Sequence, residues 1–235
     1  MTYSVSIIIP AYKEEEFLEI AVKSLDTKLK QFIDDYEIII VLDKDPTNKT
    51  EKILMNLKEK NEKIRPVIRE KKMGVGSAVI LGIKTATKET CLITTAEISE
   101  DPEDLIKMIK KINEDFDLVS GNRFFNGKIN GYSTKQYFAN RLCNYVIKIL
   151  FNIKLNDITN GVKIYKTSIL KNLELKSLNF DIFAEIPIKI FLEKNTKYYE
   201  IPVSHTVRDK KFSKFNFKKE AFLFFKVVLK CWLRI

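Results

Sequence analysis

The sequence predicts an α/β protein built on a mostly parallel central sheet flanked by helices, with amphipathic helices toward its C-terminus. Three observations predict it. Short apolar, β-branched runs alternate with longer amphipathic stretches over the first half of the chain. The connections between those runs are long enough only for helices, which makes the strands parallel and the crossovers right-handed. The chain has 235 residues, 45% of them hydrophobic, enough for one sizeable domain with a core or one domain plus an appendage.

Val5 to Ile9 is a continuous apolar strand closed by Pro10-Ala11-Tyr12. Lys13-Glu14-Glu15-Glu16 opens a helix to about Lys30, with acids in the first turn where the helix dipole favours them. Tyr36 to Leu42 is a second buried strand, and Thr47 or Asn48 caps a helix running to Lys60. Arg65 to Ile68 is a short third strand, after which Gly74-Val75-Gly76 turns into another helix. That element lacks the third glycine of a dinucleotide fingerprint and the Gly-Lys-Ser/Thr ending of a P-loop, so it reads equally as a tight turn into a closely packed helix. Cys91 to Thr95 is the fourth strand, Asp101 to Asn113 its helix, and Asp117 to Ser120 the fifth strand.

The stretch Leu92 to Asp104 organises this half. An apolar strand runs into an acidic turn, Asp101 is a good N-cap and Pro102 suits the first helical position. Thr95, Glu97 and Ser99 then lie near the carboxyl edge of the sheet, where open α/β sheets bind ligands. Their oxygens can hold a hard divalent cation, and the cation a diphosphate; capping acids on an ordinary turn explain the same residues. The loops after the first, second and fourth strands carry Glu14, Asp43 and Glu97 and meet on one edge. An acid ending a second strand, here Asp43, commonly takes ribose or base hydrogen bonds, or simply precedes a helix.

In the second half, residues 122–131 form a Gly/Asn loop and Thr134 to Phe151 an amphipathic helix, with Phe138, Leu142, Val146, Ile149 and Leu150 near one face. Val162 to Tyr165 and Tyr198 to Val203 are strands, and Phe180 to Leu192 is a helix that Pro187 should kink. The tail, Phe215 to Ile235, mixes Phe, Leu, Val and Trp232 with Lys218, Lys219, Lys226 and Lys230. It suits an interfacial helix on an anionic membrane surface; a helix docked on the core or an oligomer contact are the alternatives.

A formal charge of +10 and a pI of about 9.3 favour acidic partners. Nucleic acid would explain the charge but not the ordered acidic loops, and is set aside. Cys91, Cys143 and Cys231 are far apart and show no Cys-x-x-Cys spacing, which predicts reduced thiols and no zinc site. No signal-peptide pattern opens the sequence, and no run reaches the roughly 20 apolar residues of a spanning helix. The expected location is cytoplasmic, peripheral on the cytoplasmic membrane face.

In order along the chain, these pieces resemble glycosyltransferase family 2, in its dolichyl-phosphate mannose synthase-like branch. Val5-Ser-Ile-Ile-Ile-Pro-Ala-Tyr-Lys-Glu14 is similar to the family's opening strand and Pro-Ala-Tyr-Asn-Glu turn. Ile40-Val-Leu-Asp-Lys-Asp-Pro-Thr-Asn-Lys-Thr50 resembles its Val-Asp-Asp-Gly-Ser loop, with Lys44 in place of the second acid. Arg69 with Gly74-Val-Gly-Ser-Ala78 matches its Arg…Gly-x-Gly-x-Ala element. Asp157-Ile-Thr-Asn-Gly-Val-Lys-Ile-Tyr165 resembles Asp-x-Thr-Ser-Gly-Phe-Arg, and Glu200-Ile-Pro-Val203 with Arg208 and Ser213-Lys214 resembles the closing motif.

The resemblance implies a GT-A nucleotide-sugar fold over residues 1–214, with a nucleotide-binding half at 1–121, an acceptor half at 122–214, and a membrane-surface helix at 215–235. It implies donor contacts from Pro10, Tyr12, Glu14, Val41 and Asp43, with Arg69 in support. It puts Thr95-Ala96-Glu97 in the family's Asp-x-Asp position, with Ser99 beside it, around magnesium or manganese; Thr95 costs the site one carboxylate. It puts Arg123, Arg208 and Lys214 where the family grips phosphates. The implied reaction is inverting transfer from a nucleoside diphosphate sugar to a polyprenyl phosphate, with Glu97, Arg208 and Lys214 as catalytic groups. The acceptor phosphate is already anionic and needs no strong base. Transfer to a glycan hydroxyl would need one, from Asp157 or Glu185; a degenerate nucleotide-sugar-binding relative with little turnover is a further alternative. His205 is the sole histidine and reads as structural.

Overall fold

Val5 to Ile9 are all fully buried because both faces of their strand are covered, so apolar side chains point to both faces, and the one polar residue, Ser6, donates to Glu37 Oε1 at 2.6 Å. The computed structural model describes residues 3–15, 17–45, 49–96, 100–125, 133–193, 195–205 and 217–234, the side chains of 217–219 excepted. Among these, seven strands form one sheet: β1 (Ser4–Ala11), β2 (Asp35–Asp43), β3 (Ile64–Arg69), β4 (Thr90–Ile93), β5 (Leu118–Asn122), β6 (Lys163–Lys166) and β7 (Tyr198–Pro202). Their order is β3-β2-β1-β4-β6-β5-β7.

The mostly parallel sheet is as expected, with one reversal. β6 runs antiparallel to both β4 and β5, while the other pairings are parallel. The carboxyl ends of six strands therefore share one edge, and the segment leading into β6 enters from that same edge. Strands from both sides of the 121/122 boundary belong to this one sheet.

The helices are α1 (Leu18–Phe32), α2 (Thr50–Lys60), α3 (Val75–Thr85), α4 (Pro102–Ile112), α5 (Thr134–Phe151), α6 (Thr167–Asn172), α7 (Ile182–Leu192) and α8 (Phe217–Leu233). Val5, Ile7 and Ile9 face a core shared with α1, α2 and α4; Ile8 faces a second core with α3 and α7. Each such fully buried side chain stabilises by about 1.5–3 kcal/mol. Gly82 lets α3 approach the sheet: a Cβ there would lie 2.5 Å from Ile8 Cγ2.

α4 starts as predicted, with the Asp101 side chain accepting from the Glu103 N–H at 2.9 Å and Pro102 in the first turn. α1 does not start at Lys13. Lys13 has φ 55°, a left-handed conformation that cannot open a helix, and the Glu14 N–H is tied across to Thr50 Oγ1 at 3.1 Å. The expected cap of α2 at Thr47 or Asn48 lies outside the described residues. α6 was not expected; its six residues carry no clear helical period.

α5 matches its expected bounds; a capping box between Ser133 and Gln136 opens it, and left-handed Asn152 ends it. Ile147 is buried against the core, whereas Phe138, Leu142, Tyr145, Val146, Ile149 and Leu150 are exposed. α8 docks through Phe224, Val227, Val228 and Cys231, chiefly on α7, and exposes Phe222, Phe225, Leu229, Trp232 and Leu233 beside Lys226 and Lys230. The core-docked and the outward-apolar expectations for the tail thus describe two faces of one helix. Among the described residues no helix is long and apolar enough to cross a membrane.

Candidate active site

The shared edge collects Tyr12 after β1, Asp43 at the end of β2, Arg69 ending β3, the turn after β4, Arg123 after β5, and Ser204-His205 after β7. On its β3 side, Asp43 and Arg69 form a buried pair. Arg69 Nε donates to Asp43 Oδ1 at 2.6 Å, Nη1 to Ser77 Oγ at 2.8 Å and Nη2 to the Gly74 carbonyl at 3.1 Å. The Met73 N–H donates to Asp43 Oδ2 at 2.9 Å. Both Asp43 oxygens already have protein donors, although a carboxylate keeps further lone pairs for a ligand.

The Gly74-Val75-Gly76 turn is explained by backbone approach. Gly74 has φ 91°, and a Cβ on it would sit 2.3 Å from the Leu178 carbonyl oxygen, which accepts the Gly76 N–H at 3.0 Å. The segment behind it is organised by Glu185, which accepts the Lys176 N–H at 3.0 Å and the Ser177 N–H at 2.7 Å and pairs with Lys189 at 2.7 Å. Burial pushes the Glu185 carboxyl up, but these partners outweigh it and hold it below its ordinary value. Glu185 is thus a loop anchor and is not placed as a base.

Tyr12 donates to Asp45 at 3.2 Å, and the Lys72 ammonium lies 4.4 Å from its ring centroid. Pro10 pairs in register with Val41. The Val41 side chain is fully buried in the second core and Ala96 is buried in the first, so neither side chain is offered to a ligand. Any donor contact from these two residues would be through main chain.

Past β4, Glu97 and Ser99 lie outside the described residues; Thr95 lies just before them and is half-buried. Two oxygens flank this turn without a hydrogen-bond partner among the described residues: Thr94 Oγ1 and Glu100 Oε2, both buried. Buried oxygens lacking donors are what a hard cation can satisfy, so the turn fits one. Among the described residues no three His, Cys, Asp or Glu side chains cluster around a cation position. Glu100 Oε1 faces His205 Nδ1 at 3.0 Å, and the adjoining Ser204 bonds to Asp104 and to the Asp101 N–H. His205 therefore joins the end of β7 to the turn before α4. The sequence offered no sign of that pairing across 105 residues.

Arg123 is held by Asp157. Its Nε donates to Asp157 Oδ2 at 2.8 Å, its Nη2 to Oδ1 at 2.8 Å, and its backbone N–H to Oδ2 at 3.0 Å. Asp157 is fully buried; burial alone would push its carboxyl up, but Arg123, with help from Lys163, keeps it below its ordinary value. An acid so engaged is not available as a general base, which removes the second candidate. Glu200 accepts the Asn156 N–H at 2.7 Å and the Asp157 N–H at 3.2 Å, fixing the loop that carries Asp157. Lys163 is also fully buried and donates to the Asn160 carbonyl. Sequence reasoning passed over Lys163; its signal is a lysine inside the apolar run Val162-Lys-Ile-Tyr165. Arg208 and Lys214 lie outside the described residues.

A parallel nucleotide-type sheet with one reversed strand, and acids and arginines gathered on its carboxyl edge, defines a GT-A class protein. Residues 6–174 match the model of glycosyl transferase family 2, and the chain belongs to that family. It is 30% identical over 218 residues to a dolichol-phosphate mannosyltransferase of Pyrococcus furiosus, covering 91% of this chain and 60% of the relative. It is 25% identical over 218 residues to an undecaprenyl-phosphate 4-deoxy-4-formamido-L-arabinose transferase of Yersinia enterocolitica, covering 92% and 63%. The chain thus spans about three-fifths of the length of these relatives. Among solved structures, glucosyl-3-phosphoglycerate synthase of Mycobacterium tuberculosis, in complex with Mn2+, uridine diphosphate and phosphoglyceric acid, superposes with a TM-score of 0.71 at 14% identity. That likeness covers 99% of this chain and 78% of the other, and shows a shared fold.

Proposed function

We propose that this protein transfers a sugar, with inversion, from a nucleoside diphosphate sugar to a polyprenyl phosphate at an anionic membrane surface. The observation that carries the reading is the carboxyl edge itself, with Asp43-Arg69, the turn after β4 and Arg123-Asp157 side by side in a chain similar to two polyprenyl-phosphate transferases. Pro10, Tyr12, Glu14, Val41, Asp43 and Arg69 form the donor side. Thr95, Glu97 and Ser99, with main chain at Ala96, would hold magnesium or manganese, which when bound offsets charge on the leaving diphosphate. Arg123, Arg208 and Lys214 position the phosphates. An acceptor phosphate needs no proton removed to attack the anomeric carbon, so positioning and electrostatics suffice. The engagement of Asp157 and Glu185 elsewhere supports an acceptor of this kind.

The test is a product assay: nucleotide sugars, polyprenyl phosphate and manganese or magnesium, with identification of any glycolipid. A polyprenyl-linked sugar is expected. Transfer only to a soluble glycan hydroxyl would favour the second reading, for which the Glu100–His205 pair would supply an oriented imidazole.

The outward apolar faces of α5 and α8 support the membrane part. Phe138 and Trp232 are 66% and 55% exposed, and Lys226 and Lys230 lie beside the α8 face. The protein should float with anionic vesicles at low salt. Lys226→Glu with Lys230→Glu should weaken flotation by roughly 1 kcal/mol per lysine or more, in a salt-sensitive way. Intact protein that ignores anionic vesicles at low salt would remove the membrane from the reading.

A further inference from the structure

Four charged groups share one small region beneath the phosphate-side edge. Arg123 comes from the end of β5, Asp157 from the loop before β6, Glu200 from β7 and Lys163 from β6 itself. Lys163 sits mid-sheet, in register with Ile93 of β4 on one side and Ser120 of β5 on the other, with 1% of its surface exposed. Among the described residues its ammonium finds one acceptor, the Asn160 carbonyl, and the Asn160 side chain in turn donates to the Gly121 carbonyl at 2.8 Å. An ammonium with three protons and a single neutral acceptor is poorly compensated at full burial.

We propose that Lys163, buried beneath Arg123, takes up a proton when a phosphate-bearing substrate binds at Arg123. The argument is one of charge balance, and it rests on the reading above that Arg123 meets a substrate phosphate. With Lys163 protonated, two cations face two anions. With Lys163 neutral, the region carries one net negative charge, and an arriving phosphate adds to it. Protonating Lys163, from the buffer, offsets part of that charge and of the pull of Asp157 on Arg123. Burial pushes the Lys163 ammonium down to about 7, against the pull of Asp157, with Arg123 repelling and Glu200 attracting it. The group is therefore poised where a nearby anion can change its charge. By linkage, whatever phosphate binding does to the proton, the proton does to phosphate binding.

The measurement is calorimetric titration of the full chain with UDP-glucose, and in parallel GDP-mannose, with manganese, in two buffers of different ionisation enthalpy at about pH 8. The diphosphates of these probes do not titrate near neutrality, so any proton taken up belongs to the protein. Wild type should take up a fraction of a proton per site, and its affinity should fall above neutrality by up to about tenfold per pH unit. Lys163→Met should take up none, with an affinity flat over the same window. No uptake by wild type, or equal uptake by the variant, overturns the proposal. Should Lys163→Met not fold, Lys163→Gln takes its place, and equal uptake by it overturns the proposal in the same way.

If neither nucleotide sugar binds, the donor reading is what fails, and unfolding measurements then decide for Lys163. Its folded-state proton leaves near neutrality, while the unfolded lysine keeps its proton to about pH 10. The unfolded state binds more protons in that window, so wild-type stability should rise with pH there and the rise should be lost as pH falls back to neutrality. A wild-type stability that is flat across the window, relative to Lys163→Met or Lys163→Gln, overturns the proposal.

Discussion

Asp157→Ala will cost the fold about 3–5 kcal/mol, the range for removing one partner of a buried ion pair. Asp157 is fully buried and receives three hydrogen bonds from Arg123, two from the guanidinium and one from the backbone. Without the carboxylate, Arg123 keeps its charge in a site where its side chain is 8% exposed. Asp157→Asn preserves the shape and one acceptor, and should lose less. The wild-type contribution has a pH signature. The carboxyl is held below its ordinary value, so its stabilisation is present above the unfolded value of about 4 and drains away as pH falls below it. Urea unfolding of wild type and both variants, at neutral and at acid pH, reads all of this. A loss below about 1 kcal/mol for Asp157→Ala would mean that the pair is solvated.

The second large effect is expected at Asp43. Asp43→Ala leaves the Arg69 guanidinium, 7% exposed, without its carboxylate and the Met73 N–H without its acceptor, again about 3–5 kcal/mol. A partner change, Arg69→Met, should recover part of the loss in the double variant, giving a coupling that a double-mutant cycle measures. The double variant also separates structure from binding. If Asp43 touches the nucleotide directly, nucleotide affinity stays about 1.5–3 kcal/mol weaker even where stability has returned. If affinity returns with stability, neither Asp43 nor Arg69 touches the nucleotide, and the pair serves the site only by holding its fold. Additive stability losses would show that the two residues do not act as a pair.

The elements that were legible in the sequence are those whose signal is local. Between their end residues, β1 and β2 are apolar on both faces apart from Ser6 and Glu37, because both faces are covered, and α4 carries its cap and proline in adjacent residues. α5 was bounded correctly by its amphipathic period, and the capping box at Ser133 and Gln136 was not read beforehand. The direction of β6 was not legible: four residues, Lys163–Lys166, look alike whichever way they run, and only their partners decide. Lys13 at φ 55° was invisible for a related reason, since its conformation follows from the tie between Glu14 and Thr50. Residue types pointed to Asp43, Arg69, Arg123 and Asp157, but not to how they pair, because the partners lie 26 and 34 residues apart. Asp157 and Glu185 looked like candidate bases for the same reason: burial and engagement are tertiary facts.

The reversed strand also bears on how the chain is made. β5 finds its neighbours only in β6 and β7, and β4 needs β6 on its open flank. As the polypeptide leaves the ribosome, β1 to β4 can assemble in sequence, but β5 must wait for some 40 further residues before a partner exists. During that interval β4, apolar on both faces, is an uncovered edge open to intermolecular pairing. Completion of the sheet is thus a late insertion, with long loop closures on either side, and non-local steps of that kind are slow. Truncations that stop short of Lys166 should accumulate as aggregates, and in the living cell this stretch of synthesis is where a chaperone would be needed.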